Sequence, residues 1–273
     1  MTVLSTSVAM ISLLCLWMVF QLVFLGGLSH GRDQDLLYRD FRTQLASAIA
    51  PVGPVVPAGD PVAVLTAPRI GLQQTVVEGT GSADTLAGPG HLRNTVLPGQ
   101  SGTSVMMGRA QTYGGPFASL GSLVAGDTIT TVTGQGTTAF TVLGVRRAGD
   151  PLPQPLAAGS SRLTLVTSES SGARTDLASG SVLYVDADAA TAFPAPAGLP
   201  ASVPDSERPL ATDSGVLPLL VLHLAALLAL TLGIVAARQR WAGPLVWVIA
   251  TPVALAAAWS TTDVAMRLLP NLL

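Results

Sequence analysis

Two stretches of the sequence decide its fold: residues 88–117 read GPGHLRNTVLPGQSGTSVMMGRAQTYGGPF, and residues 163–169 read LTLVTSE. Each contains a short run rich in Val, Thr, Met or Leu, at 103–107 and at 163–167. Such runs between turn residues are typical of β-strands. Five further runs have the same texture, at residues 62–65, 75–78, 128–132, 139–145 and 182–185. The pattern predicts an all-β domain of barrel or sandwich type over residues 62–188, which is long enough for an independent core.

The composition indicates membrane segments. Of the 273 residues, 49% are hydrophobic and only 11% are charged, which is too apolar for an ordinary soluble protein. The basic residues are arginines scattered singly or in pairs, so nothing predicts nucleic-acid binding. The abundance of Ala, Gly, Pro and Arg is typical of a GC-rich genome. The single cysteine, Cys15, lies in an apolar run, so the β domain has no thiol nucleophile, and neither a metal site nor a cofactor is expected.

The N-terminal region predicts a membrane anchor over residues 1–29. The apolar run at residues 8–28 has the ~20 residues needed to cross a bilayer. Nothing before Val8 is basic, which favours an uncleaved anchor over the alternative of a cleaved signal peptide. Residues 30–61 follow as a stalk helix, whose apolar residues recur every four positions, and a Pro-rich linker.

Two further apolar runs, at residues 214–237 and 244–262, predict transmembrane helices near the C-terminus. A Pro- and Ala-rich tether at residues 189–213, extended or disordered, connects them to the β domain. The turn between them, residues 238–243, contains two arginines, and the positive-inside rule places it in the cytoplasm. The sequence thus predicts a multi-pass plasma-membrane protein with three spans, an extracytoplasmic β domain and a short tail at 263–273. His223, in mid-span, is expected to hydrogen-bond a neighbouring helix.

The order of the motifs resembles the sortase family, the cell-surface cysteine transpeptidases. The segments APRIGL at 67–72, the 88–117 stretch, LTLVTSE and VLYVDAD at 182–188 occur in the family's order and look like the class of high-GC Gram-positive bacteria, the actinobacteria. The resemblance implies a sortase-like β-barrel. In such enzymes a thiolate attacks the Thr-Gly carbonyl of a sorting signal, an arginine stabilises the oxyanion, and a histidine supplies a proton to the leaving amine.

All three reactive positions are changed in this chain. The resemblance places the family's histidine at Arg109, its cysteine at Ser168 and its arginine at Val182, with Arg174 in the preceding loop as the alternative for the last. A serine hydroxyl is far less acidic than a thiol, whose pKa is ~8.5, so Ser168 needs a neighbouring base. Arg109 cannot be that base because a guanidinium stays protonated. Val182 offers the oxyanion no hydrogen bond.

Three hypotheses follow for the function. The preferred one is a sortase-like pseudoenzyme that binds a partner at the cell surface: a sorting-signal peptide, a surface protein or an active sortase. The second is a divergent transpeptidase or hydrolase that uses Ser168 as its nucleophile. The third is a membrane assembly or accessory protein that acts through its C-terminal helices. His91 is the only histidine of the β domain, and a turn or structural role is expected for it.

Overall fold

The computed structural model describes residues 16–17, 20–21, 25–169, 181–241 and 243–273. The chain divides into two compact units, one of residues 1–211 with 270–273 and one of residues 212–269. The predicted anchor at residues 8–28 lies mostly outside the described residues. Arg174 lies outside them as well.

A closed barrel of eight strands forms the centre of the first unit in the described residues. The strands are β1 (Pro61–Ala67), β2 (Leu72–Glu78), β3 (Gly90–His91), β4 (Gly102–Met107), β5 (Thr128–Thr133), β6 (Gly136–Arg147), β7 (Ser161–Ser168) and β8 (Val182–Ala189). Around the barrel they follow the order β1-β2-β3-β4-β7-β8-β6-β5. The predicted barrel is confirmed. The strand that the sequence did not predict is β3, whose two residues are too few to show an alternating pattern.

Alternation along the strands separates a barrel core from a second cluster on the outer face. Leu165 of β7 and Val185 of β8 belong to the core, which is made of residues from all around the barrel. Successive side chains of a strand point to opposite faces. Val166 accordingly packs in a separate apolar cluster with Met107 of β4 and Tyr184 of β8.

The described helices are α1 (Gly26–Ala46), the short α2 (Asp84–Ala87), α3 (Leu217–Arg240) and α4 (Gly243–Met266). Helix α1 corrects the predicted stalk, because it packs on the barrel. Phe41 of α1 is fully buried in a cluster with Val64 of β1. The Gln34 side chain donates a hydrogen bond to the Thr75 carbonyl of β2 (3.0 Å) and accepts one from the Thr75 N–H (2.7 Å). The apolar residues that recur along this helix therefore pack against the barrel.

Residues 189–211, most of the tether predicted at 189–213, are also bound to the barrel. Phe193 exchanges backbone hydrogen bonds with the loop before β4: its N–H donates to Gly99 (2.8 Å) and its carbonyl accepts from Ser101 (2.9 Å). Glu207 is buried, and it forms an ion pair with Arg93. This segment includes a short 3-10 helix at Asp205–Glu207, and it is bound along the barrel because its polar groups find partners there.

The second unit contains α3 and α4, two apolar helices of 24 residues each. At 1.5 Å per residue each is about 36 Å long, enough to cross the ~30 Å core of a bilayer. Candidate spans cover Ser214–Ala237, with mean hydropathy 2.6, and Val248–Met266, with mean hydropathy 1.3. The prediction for His223 was wrong in its partner: the imidazole bonds the Leu219 carbonyl of its own helix (2.9 Å).

Candidate functional site

The ends of three adjacent strands form the candidate site. Strands β4 and β7 are parallel neighbours, with Met107 opposite Val166, and β8 runs antiparallel to β7, with Val182 opposite Ser168. Just beyond β4, the Gly108 N–H donates to the Val166 carbonyl (3.0 Å), which keeps the chain beside β7. The positions predicted from the resemblance therefore lie at one end of this part of the sheet.

Arg109 follows Gly108 and is fully buried. Its Nη2 donates to the backbone carbonyl of Ser82 (3.0 Å) and to the Ser82 Oγ (2.9 Å). Its Nη1 donates to the Thr112 Oγ1 (3.0 Å) and to the Pro270 carbonyl (3.4 Å). The guanidinium also lies 5.8 Å from the centre of the Tyr113 ring. Arg109 thus joins the loop after β2, the loop after β4 and the segment that follows α4.

The charge of Arg109 is held in an environment that disfavours it. Its hydrogen bonds with the described residues end on neutral oxygen atoms. Burial lowers the pKa of Arg109 from its ordinary value to about 10, although its interaction with Tyr113 opposes the shift. A group with this pKa is still a cation at neutral pH, so it donates hydrogen bonds and does not accept a proton.

Ser168, at the end of β7, is buried and already hydrogen-bonded. Its Oγ donates to the backbone carbonyl of Leu272 (2.8 Å). A nucleophilic serine needs a base to receive this proton, and a carbonyl is too weak a base for that role. Opposite it, Val182 packs in the outer apolar cluster with Met107, Val166 and Leu272. An isopropyl side chain at that position cannot donate a hydrogen bond to a developing oxyanion.

The segment Pro270–Leu273 was not predicted as part of the site. The sequence places it in the short tail, and a carbonyl contact such as Leu272 with Ser168 leaves no trace in residue type. Asn271 is the polar residue of this segment, and a polar side chain that is buried requires hydrogen-bond partners. It is fully buried, and its side-chain amide donates to the carbonyls of Thr80 (2.7 Å) and Arg208 (2.9 Å).

His91 lies on β3 and is buried. Its Nδ1 lies 2.9 Å from the Glu78 Oε2, and its Nε2 lies 2.9 Å from the Val96 carbonyl. Both ring nitrogens are therefore engaged in bonds within the barrel. These contacts describe a structural histidine, in agreement with the role expected from the sequence.

A polar network continues the outer face of β7 and β8 beyond the apolar cluster. Asp186 is buried and accepts hydrogen bonds from the Arg146 Nε (2.5 Å) and the Thr164 Oγ1 (2.7 Å). The Arg146 guanidinium also stacks on the Tyr184 ring at 4.2 Å. The surface beside the candidate site thus changes from apolar side chains to fixed charges.

Comparison with known proteins identifies the β domain. Similar solved structures include sortase E from Streptomyces avermitilis, 29% identical over 56% of this chain and 100% of that chain, with a TM-score of 0.42. They also include the SrtA sortase from Actinomyces oris, 28% identical over 51% of this chain and 85% of that chain, with a TM-score of 0.43. No curated protein matches the chain. Residues 65–176 match the family model described as the sortase domain. This part of the chain is therefore similar to the sortase domain.

Proposed function

We propose that this chain is a membrane-anchored, catalytically inactive member of the sortase family that binds a peptide or protein partner outside the cell. The observation that carries the proposal is the hydrogen bond of Ser168, whose hydroxyl donates to the Leu272 carbonyl (2.8 Å) and not to a base. In the described part of the barrel unit the histidines are otherwise engaged: His91 bonds Glu78, and His30 bonds Gln74 (2.9 Å). Neither of these two histidines is therefore available to Ser168 as a general base.

The side chains at the other two positions, Arg109 and Val182, also cannot perform the catalytic roles of the family's histidine and arginine. Arg109 is protonated at neutral pH and cannot take the proton of Ser168. Val182 cannot stabilise an oxyanion, and the loss of one such donor typically costs ~10²-fold or more in rate. What the domain keeps is a scaffold with an outer surface of apolar side chains and backbone donors, which suits recognition of an extended peptide. The partners we propose are a sorting-signal peptide, a surface protein or an active sortase.

The test of inactivity uses the full-length protein in detergent micelles. It is incubated with a Leu-Pro-x-Thr-Gly peptide and hydroxylamine, and the released product is compared between the wild type and Ser168→Ala. We expect no product that depends on Ser168. Product from the wild type that disappears in Ser168→Ala would overturn the proposal in favour of the hydrolase.

A revertant tests whether the scaffold is still shaped for a sorting signal. Arg109→His, Ser168→Cys and Val182→Arg are combined, and residues 270–273 are deleted so that the Leu272 carbonyl no longer covers position 168. Detectable transpeptidation would support a sorting-signal peptide as the ligand. A folded but silent revertant would instead favour a protein partner.

We further propose that the β domain lies outside the cell and that residues 8–28 form a third span, with the N-terminus in the cytoplasm. Helices α3 and α4 are consecutive, so two spans bring the chain back to the side on which it entered. In a Cys15→Ala background, a cysteine at the exposed Leu152 should react with a membrane-impermeant maleimide on intact cells, and a cysteine at Gln239 should not. The opposite labelling would reverse the orientation.

A further inference from the structure

The segment Pro270–Leu273 lies against the candidate site like a bound peptide. The Leu272 carbonyl accepts hydrogen bonds from the Ala110 N–H (3.0 Å) and from the Ser168 Oγ (2.8 Å). The Leu273 carbonyl accepts one from the Thr112 N–H (3.1 Å). Two backbone donors two residues apart in the loop after β4 therefore hold two successive carbonyls of the segment.

The side chain of Leu272 fills an apolar site on the barrel surface. It is fully buried in the outer cluster, where it packs with Met107 of β4 and Val166 of β7. The partly buried Val182 and Tyr184 of β8 belong to the same cluster. We refer to this site as the Leu272 pocket. Backbone donors beside an apolar pocket give an extended peptide both affinity and a choice of side chain.

Two further residues fix the segment in register. The Asn271 amide donates to the carbonyls of Thr80 (2.7 Å) and Arg208 (2.9 Å), and the Asn271 N–H donates to the Ala211 carbonyl (3.1 Å). Arg109 reaches the carbonyl of Pro270 (3.4 Å). Each residue of the segment thus makes a specific contact with the barrel unit, as the residues of a bound peptide ligand do.

We propose that residues 270–273 are an intramolecular ligand of this groove, and that a peptide with a leucine-sized side chain binds the Leu272 pocket only when the segment is released. The inference rests on the proposed function, because it concerns the regulation of the same peptide-binding surface. A tethered ligand acts at an effective concentration in the millimolar range, so it excludes weak competitors without any further contact. In this arrangement Arg109 is a positioning residue for the segment.

Hydrogen exchange resolved to single amides tests whether the segment occupies the groove. The full-length protein in micelles is compared with Leu272→Asp and with a deletion of residues 270–273. Exchange at Ala110 and Thr112 should accelerate about tenfold to a hundredfold in both variants, because a buried leucine no longer holds the segment in place. The Gly108 N–H, which donates to a strand carbonyl of β7, should stay protected. Leu152→Asp makes the same chemical change on an exposed leucine and should leave all three amides unchanged.

Peptide binding then tests the competition. A fluorescent LLPNLL peptide, the sequence of residues 268–273, is titrated into the wild type and the deletion variant, with LLPNDL as the control peptide. We expect the deletion variant to bind LLPNLL at least about tenfold more tightly than the wild type does, and to bind LLPNDL weakly.

The outcomes separate this inference from the proposed function. Unchanged exchange at Ala110 and Thr112, or equal affinity of the two proteins for LLPNLL, would overturn the intramolecular ligand. Binding of a sorting-signal peptide to the wild type would still support the proposed function in that case. Accelerated exchange without binding of any peptide to the emptied groove would overturn both the competition and a peptide as the partner.

Discussion

Replacing Arg109 with methionine gives the sharpest test of the candidate site, because two large effects oppose each other. Burial lowers the pKa of Arg109 to about 10, well below its ordinary value. At 1.36 kcal/mol per pH unit, the folded protein holds this charge at a cost of about 3 kcal/mol. Against this stand the hydrogen bonds to Ser82 and Thr112, each contributing on the order of 1 kcal/mol or more because the donor is charged. We therefore expect Arg109→Met to change the unfolding free energy near pH 7 by less than about 2 kcal/mol.

The pH dependence of the unfolding free energy tests whether the folded protein disfavours the charge of Arg109. Between the folded pKa of about 10 and the higher, ordinary pKa of the unfolded chain, the unfolded chain binds more protons at Arg109 than the folded chain does. The unfolding free energy of the wild type should therefore rise relative to Arg109→Met, by about 1 kcal/mol between about pH 9 and pH 11. Urea unfolding followed by the circular dichroism of the β domain, in micelles, measures both proteins.

Arg147→Met is the matched control for this experiment. Its side chain is 60% exposed, and hydrogen bonding to Glu169 raises the pKa of Arg147 above its ordinary value. The difference between the wild type and Arg147→Met should therefore stay flat up to about pH 11. If the Arg109 difference is flat as well, the guanidinium is solvated in the folded protein, and the buried role assigned to it is refuted.

Three further substitutions test the packing around the site by urea unfolding. Phe41→Ala should lower the unfolding free energy by about 3–5 kcal/mol, because Phe41 is fully buried on the barrel. Tyr38→Ala on the same helix should lower it by less than about 1 kcal/mol, because Tyr38 is 38% exposed. Equal losses would show that the helix does not pack on the barrel. Asp186→Ala should lower the unfolding free energy by about 3 kcal/mol, because it leaves Arg146 without its carboxylate partner. The double variant with Arg146→Ala should lose less stability than Asp186→Ala alone. A larger loss in the double variant would contradict the pairing. Asn271→Ala removes the donor to the buried Thr80 carbonyl and to the partly buried Arg208 carbonyl, and it should cost about 1–3 kcal/mol. Asn271→Asp, which offers only acceptors there, should be no better. A neutral effect of both would show that the segment is not docked.

The barrel was predictable because its strands carry a local signal. Seven of the eight strands appear in the sequence as short runs of Val, Thr and Leu between turn residues, and the structure extends them by a few residues at their ends. The ends were not predictable, since Gly136–Arg147 continues past its apolar part only because β8 offers ladder partners up to Leu183 opposite Arg147. Strand β3 depends entirely on its neighbours: it pairs with β2 and β4 through two residues each.

The segments on either side of the barrel were placed wrongly for a different reason. A period of four in α1 predicts a helix with an apolar stripe but does not say what the stripe packs against, and here Phe41 packs on the barrel. A Pro- and Ala-rich composition predicts an extended or disordered tether at 189–213. What composition omits is the set of single long-range contacts, such as Glu207 with Arg93, that bind it to the surface.

The same limit explains why the segment Pro270–Leu273 was not predicted at the candidate site, where the Arg109 side chain contacts it. A histidine has two ring nitrogens, whereas a guanidinium has five N–H donors in a planar fork. Only the fork can bond the Ser82 carbonyl on one side and the Thr112 hydroxyl and Pro270 carbonyl on the other. Burying that cation is costly, and the partners that offset the cost include a residue of the segment itself. Arg109 is therefore best understood together with residues 270–273: the guanidinium, which cannot accept a proton, also donates to the Pro270 carbonyl of the segment that covers Ser168.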